Sequence, residues 1–477
     1  MSRQAHRVFT FLFVAVLCAI SALAQTPEQR TSRYFESIRN SPPQLEAFLR
    51  AMPKGGDLHN HLSGAVYAES YIAYAAHDKL CFDRKAQTFA ESPCDPSRGL
   101  APAEAALTDG TLRSEIIDAF SMRAFHPYSE PLGSESGEDH FFNSFGKFHL
   151  VSRDHTGEML AEVISRAGHQ NESYMELMIG LDHLSAGLGK KVGWTDNFDE
   201  MRERLNVAGI HDVIAPVKQA LDAAEAEKNR LLRCDDAAHA DPGCKVTVRY
   251  INEVYRGTPP EQVFAEIMAG FEIVHQGDHR YVSVNPVMPE DGPISMRDYD
   301  LHMRMLAYFH KLYPDVHLTE HAGELAPGLV PPSGLRFHIR DAVDIGAAQR
   351  IGHGADIMEE DRPLDLLREM AKKKVAVEIC LTSNDLILGI SGNRHPFPVY
   401  LKYGVPVAIS TDDEGVSRSD MTHEYLRAVE NYGLSYPQLT KIVRNSIEYS
   451  FAEPEIKAKL LADLGRRFRE FESSYKP

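Results

Sequence analysis

The chain has 477 residues, of which 43% are hydrophobic and 25% are charged, a composition typical of a folded globular protein rather than a disordered one. Its formal net charge is −17, from 68 Asp and Glu against 51 Lys and Arg. Such a chain lacks the basic surface that binds phosphate backbones, so we expect a small-molecule partner and no nucleic acid.

The first 24 residues have the form of a secretory signal peptide. Arg3 and Arg7 precede an apolar run at residues 8–23, and Ala22-Leu23-Ala24 has the small-x-small form of a signal peptidase site. The apolar run is short for a membrane anchor, and no second hydrophobic span follows it. We therefore predict an exported protein, periplasmic or secreted, whose mature residues 25–477 form a single domain with no integral membrane span.

Eight short apolar runs recur along the mature chain, and helical patterns separate most of them. The runs lie at residues 56–62, 173–179, 246–254, 281–287, 316–321, 350–353, 375–381 and 405–411. The helical patterns include residues 260–274, 296–312, 363–373 and 423–432, and two further amphipathic stretches lie between 436 and 475. Alternating strands and helices predict parallel pairing and an α/β fold, a TIM-type (β/α)8 barrel with N-terminal and C-terminal helical extensions.

Two regions are too long for simple crossovers between neighbouring strands. Residues 79–138 are rich in Pro, Gly and charged side chains, and residues 184–243 form the second region. We interpret both as insertions that either cover a pocket or mediate self-association. The sequence does not choose between these roles, so a homodimer stays open.

Five cysteines remain beyond the signal segment, and four of them form two close pairs. Cys81 with Cys94, and Cys234 with Cys244, would each close a short, polar, Pro-containing loop, as expected in an oxidising compartment. We predict these two disulfides, although five cysteines permit other pairings. Cys380 lies in an apolar strand and is expected to be a buried free thiol.

Short polar motifs lie at the ends of several predicted strands, where the mouth of a barrel would be. They are Asp57-Leu58-His59-Asn60-His61, His321-Ala322-Gly323-Glu324, Arg350-Ile351-Gly352-His353-Gly354 and Ser410-Thr411-Asp412-Asp413. Because strand side chains alternate, His59 and His61 face the same side and can reach one metal ion. His321 and Asp412 complete a nitrogen-rich set that suits zinc and leaves one position for water. We therefore predict a single catalytic zinc per chain.

Two other interpretations of these motifs are weaker. Residues 317–321 match the H-x-x-E-H motif of inverted zinc proteases, which needs a helix, but Pro314 and Gly323 leave room only for a strand. The zinc cytidine deaminases use a C-x-x-C ligand pair that this chain lacks. Glu378 lies in an apolar strand and is as consistent with a structural partner as with a catalytic group, so it is left out of the predicted site.

From about residue 53 to the C-terminus, the order of these motifs resembles that of the adenosine deaminases in the metal-dependent amidohydrolase superfamily. The long, exported chain looks most like the secreted, growth-factor-related branch. The resemblance implies zinc binding by a set of four residues: His59, His61, His321 and Asp412. It also implies that Glu324 donates a proton to the purine ring and that His353 is the base and orienter of the attacking water.

The same resemblance implies a substrate and its contacts. The reaction would convert adenosine or 2′-deoxyadenosine to inosine or 2′-deoxyinosine with release of ammonia. The implied substrate contacts are His61, Ser63, Gly64, Asp413, Phe145 and Phe148, although the two phenylalanines are equally consistent with the core. Ser63 replaces the usual ribose-binding Asp of the family, and residues 285–288 also depart from its pattern. Another aminated heterocycle, a modified adenine nucleoside, or a non-catalytic secreted binding or signalling protein therefore remain alternatives.

Overall fold

A parallel barrel forms the centre of the protein, which a computed structural model describes at residues 25–123, 125 and 136–475. The predicted signal peptide lies outside these residues. The barrel strands are β1 Gly55–His61, β2 Glu172–Ile179, β3 Thr247–Tyr255, β4 Tyr281–Val287, β5 His317–Ala322, β6 Arg350–His353, β7 Ala376–Ile379 and β8 Val407–Ile409. Each strand pairs in parallel with the next one in the chain. A bridge between Asn60 and Asp412 links the end of the β8 segment to β1, so the predicted (β/α)8 barrel is confirmed.

Helices surround the barrel and extend from both ends of the chain. They are α1 Pro27–Ile38, α2 Pro42–Ala51, α3 Ala68–His77, α4 Gly110–Phe120, α5 Gly137–Ser152, α6 Thr156–His169, α7 Ser185–Val192, α8 Phe198–Ala208, α9 Ile214–Leu231, α10 Pro260–Glu272, α11 Tyr299–Leu312, α12 Pro363–Lys373, α13 Leu381–Leu388, α14 Phe397–Tyr403, α15 Met421–Tyr432, α16 Tyr436–Glu448 and α17 Pro454–Ser474. Short helical turns cover Leu62–Ala65, Pro293–Arg297, His338–Asp341 and Glu414–Ser417. Within the described residues, no helix is both long and apolar enough to cross a membrane.

The burial of side chains explains why these segments form these elements. Every residue of β2 is buried, as expected for a parallel strand covered on both faces. By contrast, α12 buries only one stripe, which consists of Leu366, Leu367 and Met370. The terminal extensions pack together, since the Phe48 ring of α2 lies 5.1 Å from that of Phe471 in α17. These apolar contacts join the N-terminal and C-terminal extensions.

The two long regions contain secondary structure of their own. Residues 79–138 include a small antiparallel sheet of Cys81–Asp83, Thr88–Ala90 and Leu100–Pro102, followed by α4 and the start of α5. Residues 184–243 contain α7, α8 and α9. Both predicted disulfides are confirmed, Cys81 to Cys94 and Cys234 to Cys244, and Cys380 is a buried free thiol.

Two helix predictions are corrected in detail. The amphipathic pattern at residues 296–312 is not one helix, because Asp298 leaves helical geometry at ψ 13° between Pro293–Arg297 and α11. The pattern at residues 260–274 is α-helical only to Glu272 and continues as the π-helix Ile273–Gly277. In both cases the apolar spacing persists while the backbone hydrogen bonding changes, so periodicity alone does not reveal the break.

Candidate active site

Four predicted metal ligands meet at the carboxyl ends of the barrel strands. His59 and His61 end β1, His321 lies near the end of β5, and Asp412 follows β8. The Nε2 atoms of His61 and His321 are 3.2 Å apart. Asp412 Oδ1 lies 3.6 Å from the Nε2 atoms of both His59 and His61. The structure therefore brings three ring nitrogens and one carboxylate oxygen around a common point.

Each of these three rings has a hydrogen-bond acceptor behind it. The Nδ1 atoms of His59, His61 and His321 face Glu378 Oε2 at 2.6 Å, Glu253 Oε1 at 3.2 Å and Asn285 Oδ1 at 2.8 Å, respectively. Asn285 Oδ1 also accepts from the His321 backbone N–H, which fixes the orientation of that amide. Acceptors at Nδ1 place the ring proton there, so each Nε2 lone pair points to the common point.

This arrangement fits a divalent metal. The Nε2 lone pairs of His61 and His321 face each other at 3.2 Å. Two acceptor atoms repel each other at this distance unless a cation or a proton lies between them. His59 Nε2 is buried and has no hydrogen-bond partner in the described part of the chain. Nitrogen donors with one carboxylate are the ligands of catalytic zinc sites. His59, His61, His321 and Asp412 therefore suit zinc.

Two site residues have an uncommon backbone conformation. His353 has φ +67° and Asp412 has φ +58°, both in the left-handed region that non-glycine residues rarely enter. The Asp412 N–H donates to His59 O at 2.9 Å, which holds this conformation against the end of β1. Next to His353, a Cβ on Gly352 would lie 2.6 Å from His59 Cε1, so only glycine permits the close approach. At these two positions the uncommon backbone conformation lies in the mouth of the barrel, among the candidate site residues.

Glu324 is held beside the ligands by a second buried carboxylate. Glu290 accepts from the backbone N–H groups of Gly323 at 3.0 Å and Glu324 at 2.8 Å, and it contacts His338 Nδ1 at 2.5 Å. Glu324 Oε1 then lies 3.6 Å from His353 Nε2. Burial and the nearby Asp412 carboxylate raise the pKa of Glu324 well above its usual range, which favours the protonated acid.

A cavity of about 490 Å³ opens over this cluster. The predicted substrate contacts Ser63, Asp413, Phe145 and Phe148 line it, together with His61. Phe148 is also packed in the core, where its ring stacks on Tyr71 at 4.6 Å, so its helix serves both roles left open by the sequence. Among the described lining residues there is no Lys or Arg.

Gly64 lies behind this surface rather than on it. A Cβ on Gly64 would lie 1.6 Å from Asp413 Oδ1, so the glycine makes room for the Asp413 side chain. The predicted direct contact of Gly64 with substrate stays a prediction. Its position instead explains why glycine follows Ser63: a larger residue would displace an acid that lines the cavity.

Sequence reasoning missed the groups that orient the site. Glu253, Asn285, Glu290 and Asn384 were not singled out as partners, and Glu378 was left out, yet each contacts a candidate ligand, acid or base. A polar residue near the end of an apolar strand was the available signal for Glu253 and Asn285. The predicted strand at residues 316–321 is confirmed, which removes the helix that the protease interpretation requires.

The sequence is similar to known adenosine deaminases. Residues 209–466 match the family model described as adenosine deaminase. The adenosine deaminase of Escherichia coli (strain SMS-3-5 / SECEC) is 35% identical over 147 residues, which are 31% of this chain and 41% of that protein. The chain thus matches less than half the length of this curated relative.

Solved structures share the barrel over most of the chain. An N6-mAMP deaminase from Arabidopsis has a TM-score of 0.58 at 20% identity and covers 88% of this chain and 99% of its own. An amidohydrolase from Burkhoderia ambifaria with bound Zn has a TM-score of 0.56 at 18% identity, covering 90% and 94%. These likenesses show the fold. Because the family model covers more than half of the 477 residues, the chain belongs to the adenosine deaminase family.

Proposed function

We propose that this protein is a zinc-dependent hydrolase that converts adenosine or 2′-deoxyadenosine to the 6-oxo nucleoside and ammonia. The observation that carries the proposal is the convergence of three Nε2 atoms and the Asp412 carboxylate, with Glu324 Oε1 3.6 Å from His353 Nε2 beside them. The similar E. coli protein is an adenosine deaminase, and the similar Burkhoderia protein binds Zn, which support the reaction and the metal.

His59, His61, His321 and Asp412 would hold the metal. When bound, zinc supplies a water of lowered pKa as the nucleophile near neutral pH. The Nδ1 acceptors behind the three rings would leave each Nε2 lone pair free to bind the metal. The role of these ligands and acceptors is to fix the position of the metal site.

Glu324 supplies the proton that the purine needs. Attack at the carbon that carries the amino group becomes easier once the neighbouring ring nitrogen is protonated, because the ring then accepts the electron pair. The raised pKa of Glu324 favours its protonated form, and the Glu324 backbone N–H is held by donation to Glu290. After the ring nitrogen has taken this proton, Glu324 is a carboxylate that can receive one from the water and pass it to the departing ammonia.

The cavity favours an uncharged nucleoside over a 5′-nucleotide. Its described lining includes four acids, Glu253, Glu324, Asp412 and Asp413, and no Lys or Arg to pair with a phosphate. Asp413 faces the space where the purine would lie, and Phe145 and Phe148 supply an apolar wall for a ring. This is why the proposal names a nucleoside, although the structurally similar Arabidopsis protein is an N6-mAMP deaminase.

The direct test is loss of the adenosine absorbance band on addition of purified, zinc-loaded residues 25–477. Adenosine, 2′-deoxyadenosine, an N6-methylated adenosine and AMP should be compared at equal concentration. We expect the two unmodified nucleosides to be consumed and AMP to be poor. Turnover of the methylated nucleoside alone would replace the substrate proposal with a modified nucleoside, and no turnover of any compound despite bound zinc would contradict it.

Export to a periplasmic or extracellular compartment is part of the same proposal. Its support is the form of residues 1–24 and the two disulfides, which are stable in an oxidising environment. Cell fractionation of the expressed full chain, with mass spectrometry of its N-terminus, tests it. A full-length protein in the cytoplasm would contradict export.

A further inference from the structure

A buried chain of hydrogen bonds connects a backbone N–H to the His353 ring. Phe397 N–H donates to His395 Nδ1 at 3.1 Å. His395 Nε2 lies 3.1 Å from Asn384 Oδ1, and Asn384 Nδ2 lies 3.0 Å from His353 Nδ1. The three side chains are at most 3% exposed, so water does not compete for these contacts. His353 is the end of this chain that faces the cavity.

The first donor determines the direction of every later bond. A backbone N–H can only donate, so His395 Nδ1 accepts and the proton of the neutral His395 ring lies on Nε2. That N–H needs an acceptor, which fixes the Asn384 oxygen toward His395 and its NH₂ toward His353. An NH₂ group only donates, so His353 Nδ1 accepts. The proton of the neutral His353 ring therefore lies on Nε2, which is 3.6 Å from Glu324 Oε1 and 4.0 Å from Asp412 Oδ2.

The ring proton of His353 therefore lies on the opposite nitrogen from that of the three candidate ligands. Behind His59, His61 and His321 stand oxygen acceptors, which leave a lone pair on Nε2. Behind His353 stands a donor, which leaves an N–H on Nε2. That buried Nε2 has no hydrogen-bond partner among the described residues. A partner is therefore expected from the water or substrate in the cavity.

We propose that Asn384 and His395 are positioning residues that hold His353 as its Nε2–H tautomer, so that His353 donates a hydrogen bond to the attacking water instead of removing its proton. The inference rests on the proposed function for the identity of the reaction. It assigns the base role to Glu324 and leaves His353 to orient the water and stabilise negative charge on its oxygen.

The proton balance closes with these groups. Glu324 gives its proton to the ring nitrogen while the water oxygen bonds to the adjacent carbon. The Glu324 carboxylate then takes one proton of that water and delivers it to the amino group, which leaves as ammonia. The remaining proton of the former water returns to Glu324 as the 6-oxo group forms. His353 keeps its own proton throughout. Water is consumed, ammonia is released, and both side chains end as they began.

The substitution Asn384→Asp tests the tautomer directly. The new side chain has two acceptor oxygens and no NH₂, so it accepts from His395 and from His353 Nδ1 together. In zinc-loaded protein labelled with ¹⁵N-histidine, the ring signals of His353 are identified by their loss in His353→Asn. We expect a proton on Nε2 and none on Nδ1 in the wild type, and a proton on Nδ1 in Asn384→Asp. A protonated Nδ1 in the neutral wild-type ring would overturn the proposal.

The direction in which Asn384→Asp changes kcat shows whether His353 acts as a hydrogen-bond donor or as a base. If His353 is a donor, Asn384→Asp should lower kcat about 10²-fold or more while KM, zinc content and Tm stay near wild type. If His353 took the proton of the water, the new carboxylate would stabilise the charged ring, and kcat would be maintained or raised. The latter result overturns the proposal.

Asp385→Asn is the matched control. It replaces a carboxylate by an amide at the next residue of α13, whose side chain pairs with Arg427 and not with His353. It should change neither the His353 signals nor kcat. If Asn384→Asp does not fold, the ring signals of the wild type decide the tautomer alone. Absence of turnover on nucleosides together with an Nε2–H signal would reject the proposed substrate and leave the tautomer assignment standing.

Discussion

Replacement of Glu378 by Gln measures how much the metal site depends on the groups behind its ligands. Glu378 Oε2 lies 2.6 Å from His59 Nδ1, while Oε1 accepts from Thr319 Oγ1 at 2.7 Å and from Arg350 Nε at 2.5 Å. Burial opposes the charge of this carboxyl, but Arg350 and His59 lower its pKa to about 2. Glu378 is therefore an ionised, fully used acceptor at neutral pH.

An amide cannot serve all three donors. If the oxygen of Glu378→Gln stays with Arg350 and Thr319, its NH₂ faces His59 Nδ1 and moves the ring proton to Nε2, where a metal would bind. If the oxygen turns to His59, the NH₂ faces the Arg350 guanidinium. Changes behind a metal-binding histidine cost about 10- to 100-fold in metal affinity, or roughly 1.4–2.7 kcal/mol. The protein should remain folded, because Arg350 keeps Glu176 at 2.6 Å.

The assay is competition for zinc between the protein and a coloured chelator, with thermal melts of the metal-free proteins alongside. Glu320→Gln is the control: Glu320 is also buried, and burial raises its pKa to about 8, so the substitution exchanges a neutral acid for a neutral amide. Glu320 lies beside Gly346 and not at the site, so its variant should bind zinc like the wild type. Wild-type zinc affinity in Glu378→Gln would refute the argument that this carboxylate sets the His59 tautomer.

Four further substitutions test the site. Asp412→Ala should lose both zinc and activity, whereas Glu324→Gln should keep zinc, measured by elemental analysis, and lose about 10²- to 10⁴-fold in turnover, so an active Glu324→Gln would exclude its acid role. Ser63→Asp should preserve or improve adenosine turnover and reduce any activity on AMP through repulsion between carboxylate and phosphate, and equal relative rates with an unchanged melt would show that Ser63 does not contact the sugar. Gly64→Ala should displace Asp413, because the added Cβ would lie 1.6 Å from its Oδ1, and so raise KM or lower kcat without loss of zinc; wild-type kinetics would contradict that role.

The eight strands could be predicted because their signal is local. A parallel strand covered on both faces is rich in apolar residues, and every residue of β2 and β4 is buried. The candidate ligands were also local, since alternation in β1 places His59 and His61 on one side. The break at Asp298 and the π-helical turn after α10 were missed, because both preserve apolar spacing while they change the backbone.

The sequence by itself determined which residues meet at the barrel mouth, because each stands where its own strand ends. Only the tertiary structure decided which groups contact the Nδ1 atoms of the site histidines. Glu378 is 319 positions from His59, and Asn384 is 31 positions from His353, so no local pattern relates either pair. Whether a histidine Nε2 has a lone pair or a proton depends on the partner of Nδ1. That partner comes from another element of the barrel and is set by how the elements pack. The chemistry of each ring is therefore a property of the folded site.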